Sequence, residues 1–255
     1  MEQAVHRPEL LLNVPAGALI KTTLVDFPGR VASTFFLKGC NLRCPYCYNT
    51  GLVLGGKAAE GDELSTIEEL FAHLELRKNM LTGLVVSGGE PLVNPLTPYI
   101  IERAKKLGYR IKLDTNGTLP GELEKLLKNK STKPDFIAMD IKTNPARYAR
   151  EICMYGSVSA KEDIPSLLAR SAELVASYPA DSREWRTVLV PSLVTKADIA
   201  AMAVLLPKDA SWQFAQFRNE NCLDPSYNNI PPYVDAELKE FVDYARTFIP
   251  GAALR

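Results

Sequence analysis

Six short apolar runs, each separated from the next by helix-like sequence, constrain the fold of this chain more than any other feature. The runs are 31–37, 83–87, 110–114, 136–141, 185–190 and 212–217. Short and rich in Val, Ile, Phe and Leu, they read as strands. Helical periodicity is predicted over 66–80, 98–107, 122–128, 164–177, 196–205 and 235–248, with Ser65-x-x-Glu68 as a capping box opening the first. Strands alternating with helices bury both only as a parallel sheet with helices packed outside. The run 136–139 (Phe-Ile-Ala-Met) is apolar on both faces, as a doubly covered strand must be. Six units fall two short of a closed eightfold barrel. The expected fold is therefore α/β, an open partial (β/α)6 barrel with parallel strands and outer helices; a flat doubly wound sheet is the alternative. The chain reads as a single domain, with 1–30 an irregular or hairpin-like lead-in, 31–217 the barrel core and 218–255 a helical tail.

Charge and cysteine usage narrow the chemistry. Lys plus Arg and Asp plus Glu number 30 each, so no bulk field favours nucleic acid or an anionic membrane. The N-terminus lacks a basic stretch followed by an apolar core, and no run of apolar residues is long enough to span a bilayer. A cytoplasmic location is expected. Five cysteines in such a chain do not suggest a disulfide framework. Cys40, Cys44 and Cys47 form a tight trio, while Cys153 and Cys222 stand alone and read as buried structural residues.

Polar residues gather where the strands end. The cysteine loop follows the first strand, Ser87-Gly88-Gly89-Glu90-Pro91 ends the second, Asp114-Thr115-Asn116-Gly117 the third and Asp140-Ile141-Lys142 the fourth. In parallel β/α folds these ends open on one face, where ligands bind. Gly88 and Gly89 would let backbone approach a ligand, and Glu90 would offer acceptors to an ammonium group. Asp114 and Asp140 could cap helices or bind a ribose, an amine or a small cation. Lys142 and Arg186 could each hold a ligand carboxylate, and Gln216 and Arg218 would extend the rim.

The spacing Cys40-x3-Cys44-x2-Cys47 supplies three thiolates, one fewer than an iron–sulfur cube normally takes. A cube so held keeps one iron open to a ligand that is not protein. Asn41 and Arg43, between the cysteines, would offer an amide and a cation to an anionic cluster. The alternative is a zinc site with a fourth ligand from His6, His73, Cys153 or Cys222, none of which lies in a paired motif.

Together, Cys40, Cys44 and Cys47, Tyr46 just before the last cysteine, and Gly88-Gly89-Glu90-Pro91 some forty residues on resemble the radical S-adenosylmethionine (SAM) superfamily. The stretches 21–29 and 35–40, with Asp114-Thr115-Asn116-Gly117 and Met139-Asp140-Ile141-Lys142, are similar to its glycyl-radical-enzyme activases, the nearest likeness being to anaerobic ribonucleoside-triphosphate reductase activating proteins. The resemblance implies a [4Fe-4S] cluster on the trio, its open iron chelated by SAM. It implies that backbone at Tyr46, Cys47 and Tyr48 meets the adenine, that Gly89 and Glu90 meet the methionine ammonium, and that 140–144 line the ribose and carboxylate, with Lys142 on the carboxylate. It implies a monovalent cation held by Asp114, Thr115, Met139 and Asp140, a glycyl radical enzyme as protein substrate, and a flavodoxin- or ferredoxin-type electron donor. No side chain is expected to act as a catalytic base, because the radical chemistry belongs to the cofactor. Tyr48, Gln216 and Arg218 stand where formate-lyase activases carry other residues, two of them histidines. About forty residues after the last strand are expected to leave the mouth open to a protein substrate. A small-molecule substrate, or a non-catalytic metal-binding module, are the competing readings.

Overall fold

The computed structural model describes residues 11–54, 64–153 and 163–255. One sheet of eight strands runs through it in sequential order. The six expected strands are β2 (Ala32–Leu37), β3 (Gly83–Gly88), β4 (Arg110–Thr115), β5 (Phe136–Asp140), β6 (Arg183–Leu189) and β7 (Trp212–Gln216), each parallel to the next. Two more flank them. β1 (Gly17–Thr23) pairs antiparallel with β2, so the lead-in is a hairpin. β8 (Ala252–Leu254) pairs parallel with β7, so the C-terminal segment is not helical throughout. Among the described residues no pairing joins β8 to β1, and the barrel stays open.

The expected helices form α2 (Ile67–Arg77), α3 (Thr97–Lys106), α4 (Pro120–Lys128), α6 (Ile164–Ala176), α7 (Lys196–Ala203) and α8 (Asp235–Arg246), with short α1 (Thr50–Leu54) and α5 (Tyr148–Glu151) beside them. On α2, Ile67, Leu70, Phe71 and Leu74 are buried, one stripe of an amphipathic helix. Its capping box lies one residue later than the sequence suggests. Thr66 Oγ1 accepts from Glu69 N–H at 3.1 Å, and the Glu69 carboxylate accepts from Thr66 N–H at 2.7 Å. Ser65 instead exchanges backbone hydrogen bonds with Gly17, tying the helix entry to β1. Among the described residues no helix is long and apolar enough to cross a membrane.

Strand alternation sorts the barrel into two faces. Outward side chains such as Phe35, Leu84, Val86, Ile111, Leu113, Ile137, Trp185 and Phe214 join the helices in the main core. At the inner floor, Phe27 from the β1–β2 loop packs with Ala32, Val85 and Phe136, its ring edge-on to Phe136 at 5.9 Å. Gly83 is small because a Cβ there would lie 2.8 Å from the Phe27 ring. Asp26 pins this plug by accepting from the Thr34 hydroxyl at 2.8 Å. The Asp26-Phe27-Pro28 stretch thus closes the barrel's floor. Above it the inner positions turn polar.

Candidate active site

Because β2 to β7 run parallel, their C-terminal ends rise to one rim, and the cysteine loop crosses it first. Its base is a backbone clasp. Gly89 N–H donates to Leu37 O at 3.0 Å and Glu90 N–H to Gly39 O at 2.8 Å. A Cβ on Gly88 would sit 2.2 Å from the Leu37 carbonyl oxygen, and one on Gly89 2.1 Å from that of Gly39. Gly88 also holds φ at +134°, which other residues rarely adopt. The two glycines therefore admit the cysteine loop itself; the close approach expected for a ligand is taken by backbone.

Further contacts hold the loop from three sides. Arg43 N–H donates to Ile152 O at 3.3 Å, Leu223 N–H to Cys47 O at 2.9 Å and Asp224 N–H to Pro45 O at 2.8 Å. The Asn41 amide donates to Thr118 Oγ1 at 2.7 Å and accepts from the Asn116 amide at 2.9 Å. Asn41 and Asn116 are buried, so neither offers the exposed amide foreseen at a cluster or its cofactor; they anchor the loop to β4. Arg43 turns inward, donating to Cys40 O and Leu42 O at 2.7 and 2.8 Å. Cys153 and Cys222, each one residue from a clamping contact, are both buried.

Burial pushes the Cys40 thiol up to about 11 and the Cys44 thiol up to about 12, and raises Cys47 as well. Lys142 opposes the rise at all three, so one ammonium lies within electrostatic reach of the whole trio. Three thiols on one loop, with an ammonium in electrostatic reach of each, are the ligand chemistry that an anionic iron–sulfur cluster takes. Tyr46, on the same loop, has a buried hydroxyl with no hydrogen-bond partner among the described residues. An orphaned buried donor here fits a polar group bound beside the loop. Tyr48 is exposed and leaves only its backbone near the loop.

Glu90 does not face the mouth as expected. It is fully buried, and its carboxylate accepts from Leu92 N–H at 3.1 Å, the Thr115 hydroxyl at 2.9 Å and Asn116 N–H at 2.6 Å. It staples β3 to β4, while burial, only partly offset by these bonds, pushes its pKa up to about 7. An ammonium at this corner would meet backbone rather than the Glu90 side chain.

The inner wall carries a charge network that the motifs do not reveal. Arg186, midway along β6, donates through Nε to Asp140 Oδ1 at 2.7 Å and through Nη1 to Asp114 Oδ2 at 3.0 Å. Asp114 also accepts from the Ser87 hydroxyl at 3.0 Å and from buried Lys112 at 2.7 Å. Lys112 reaches Glu184 at 3.3 Å, and Lys142 reaches Asp140 at 3.3 Å. Burial would raise both aspartates, but Arg186 outweighs it, with Lys112 at Asp114 and Lys142 at Asp140, and holds both carboxyls below their usual range. Sequence reading named Asp114, Asp140, Lys142 and Arg186, with Ser87 among the polar strand-end residues, but missed Lys112 and Glu184. The available signal was parity: Lys112 and Asp114 on β4, like Glu184 and Arg186 on β6, are two apart and hence on one face. Elsewhere the structure separates candidates. Gln216 donates outward to Tyr233 O at 3.0 Å, and His73 bonds Lys21 O at 2.9 Å from α2, away from the mouth. His6 lies outside the described residues.

Residues 34–162, half of the chain, match the Radical SAM superfamily. The chain belongs to the radical SAM superfamily. A candidate glycyl-radical enzyme activating enzyme of Methanocaldococcus jannaschii is 28% identical over 240 residues, covering 93% of this chain and 94% of that protein. The pyruvate formate-lyase-activating enzyme of Clostridium pasteurianum is 34% identical over 122 residues, 47% of this chain and 48% of that one. Among solved structures, TYW1 with a lysine-pyruvate adduct superposes with a TM-score of 0.57 at 12% identity, covering 86% of this chain and 74% of that one, which speaks for a shared fold alone. The radical SAM family implies a [4Fe-4S] cluster and SAM, and the donor set above fits the cluster.

Proposed function

We propose that this protein is a glycyl-radical-enzyme activase, with anaerobic ribonucleotide reductase as its partner and a flavodoxin- or ferredoxin-type protein as electron donor. The observation that carries the activase reading is the end-to-end similarity to a candidate activating enzyme, 93% of one chain on 94% of the other. The even balance of 30 basic and 30 acidic residues along the chain favours a protein substrate over nucleic acid.

In this reading Cys40, Cys44 and Cys47 hold the cluster. Held there, such a cluster would supply the single electron, taken from the external donor, for reductive cleavage of the SAM C5′–S bond into methionine and a 5′-deoxyadenosyl radical, and that radical would become 5′-deoxyadenosine by taking a hydrogen atom from a glycine of the partner. The chain's own residues bind, orient and exclude water. Gly88, Gly89 and Glu90 fix the cysteine loop, with Gly89 and Glu90 backbone at the ammonium side. Tyr46, Cys47 and Tyr48 offer loop backbone to the adenine. Residues 140–144 line the ribose and carboxylate side, with Lys142 on the ligand carboxylate and Arg186 beside it holding Asp114 and Asp140. Tyr148 steadies that corner: its hydroxyl accepts from Lys142 N–H at 2.6 Å.

Anaerobically reconstituted protein, given dithionite and SAM, is expected to release 5′-deoxyadenosine, measured by chromatography. With anaerobic ribonucleotide reductase added, a glycyl radical should appear by electron paramagnetic resonance. Deoxyadenosine without a radical on the reductase would remove that partner, and no deoxyadenosine would remove the reading.

A further inference from the structure

The carboxylates assigned to a monovalent cation by family resemblance already share a cation, and it is a side chain. Asp114 and Asp140 stand on neighbouring strands, and the Arg186 guanidinium bridges them at 3.0 and 2.7 Å. Their other charged contacts are also with side-chain cations, Asp114 Oδ1 with Lys112 at 2.7 Å and Asp140 Oδ2 with Lys142 at 3.3 Å, and Asp114 Oδ2 accepts from the Ser87 hydroxyl as well. With Glu184 on Lys112, three acids face three bases, and the network is neutral as it stands. The side chains of the other two proposed ligands are engaged elsewhere, the Thr115 hydroxyl donating to Glu90 and Met139 packing in the outer core, which leaves these two positions only backbone oxygen to offer. An added ion between the carboxylates would have to displace the guanidinium, leaving it buried without a partner. The residues present therefore do not fit a dissociable monovalent ion.

We propose that Arg186 is the resident cation of this site, a tethered guanidinium that holds Asp114 and Asp140 in place so that the mouth takes SAM without recruiting sodium or potassium. Three consecutive strand ends are joined through it, since β4, β5 and β6 each contribute one member. Its planar fork suits two carboxylates as a point charge would not. Arg186 is a positioning residue here. The proposal rests on the mouth being the SAM site, but its test does not depend on turnover.

Melting of the full-length apo-protein is compared in sodium, potassium and choline chloride at one ionic strength. The wild type should melt alike in all three. Arg186→Met should melt lower in choline and recover in sodium or potassium, because the vacated seat then admits an ion. Should Arg186→Met not fold, Arg186→Met combined with Asp140→Asn keeps the charge balanced and should show neither effect. On the reconstituted holoprotein, the SAM dissociation constant should stay within about twofold across the salts for the wild type, and weaken roughly tenfold in choline for Arg186→Met. A wild type that melts lower, or binds SAM much more weakly, in choline overturns the proposal while leaving the SAM site standing. Failure of SAM to bind in any salt would sink the SAM site instead, and the apo-protein melting still decides on Arg186.

Discussion

Glu90 shows how a motif residue can brace the ends of two strands from inside the protein. Among the described residues three donors surround its carboxylate and no cation does, so burial outweighs the hydrogen bonds and its pKa rises from the ordinary 4.5 to about 7. Below pH 4.5 the group is protonated in folded and unfolded chains alike. Between 4.5 and 7 the unfolded chain releases its proton and the folded one keeps it, so stability falls as pH rises, by roughly 3 kcal/mol across the window. Asp114 and Asp140 act in the opposite sense, adding stability that is lost as pH falls through their lowered folded values. Their contribution cancels when wild type is compared with Glu90→Gln. The stability advantage of the wild type over Glu90→Gln is expected to shrink from pH 4.5 to 7 in urea titrations. A difference constant with pH would show that Glu90 is ionised throughout. The sequence shows a carboxylate after two glycines, but not that the glycines point it inward. That follows from the Gly39 and Leu37 carbonyls, which lie some fifty residues away in the chain.

At the scale of elements, the six parallel strands were legible as short apolar runs bounded by turn residues, and their helices by a period near 3.6. β1 and β8 were not. Ile20, Lys21 and Thr22 of β1 are exposed, so it carries no clean alternation, and β8 has only three residues; both exist because a neighbour offers an edge. The start of α2 shows the same limit at higher resolution. Ser65-x-x-Glu68 and Thr66-x-x-Glu69 both satisfy the capping pattern, and only the bridge from Ser65 to Gly17 decides between them. Thr66→Ala is therefore expected to cost about 1 kcal/mol in denaturant unfolding, the usual value of a lost cap. Ser65→Ala, which keeps the backbone bridge, should stay within about 0.5 kcal/mol of the wild type. Equal losses would place the cap where the sequence alone puts it.

For the whole molecule the cysteine trio was legible because its spacing is local, whereas the inner charge network was not, because four strands must be brought together to make it. Lys112 is its deepest member, fully buried on β4 between Asp114 at 2.7 Å and Glu184 at 3.3 Å, with its ammonium 5.8 Å from the centre of the Phe136 ring. It stands between the apolar floor, where Phe27 plugs the barrel, and the polar mouth. Removing one member of a buried ionic set leaves its partners uncompensated, which typically costs about 3–5 kcal/mol. Lys112→Met should cost that much, since Glu184 loses its nearest base and Asp114 one of two. Replacing the partner as well should return part of the loss, because Lys112→Met with Glu184→Gln removes equal and opposite charges. A cycle of the two single variants and the double, followed by urea unfolding, reads the coupling directly. We expect the double variant to be more stable than Lys112→Met alone, with Arg186 still pairing Asp114. Additive losses would mean that the Lys112–Glu184 contact carries no energy and that neutrality of the barrel interior is not what sets its charges.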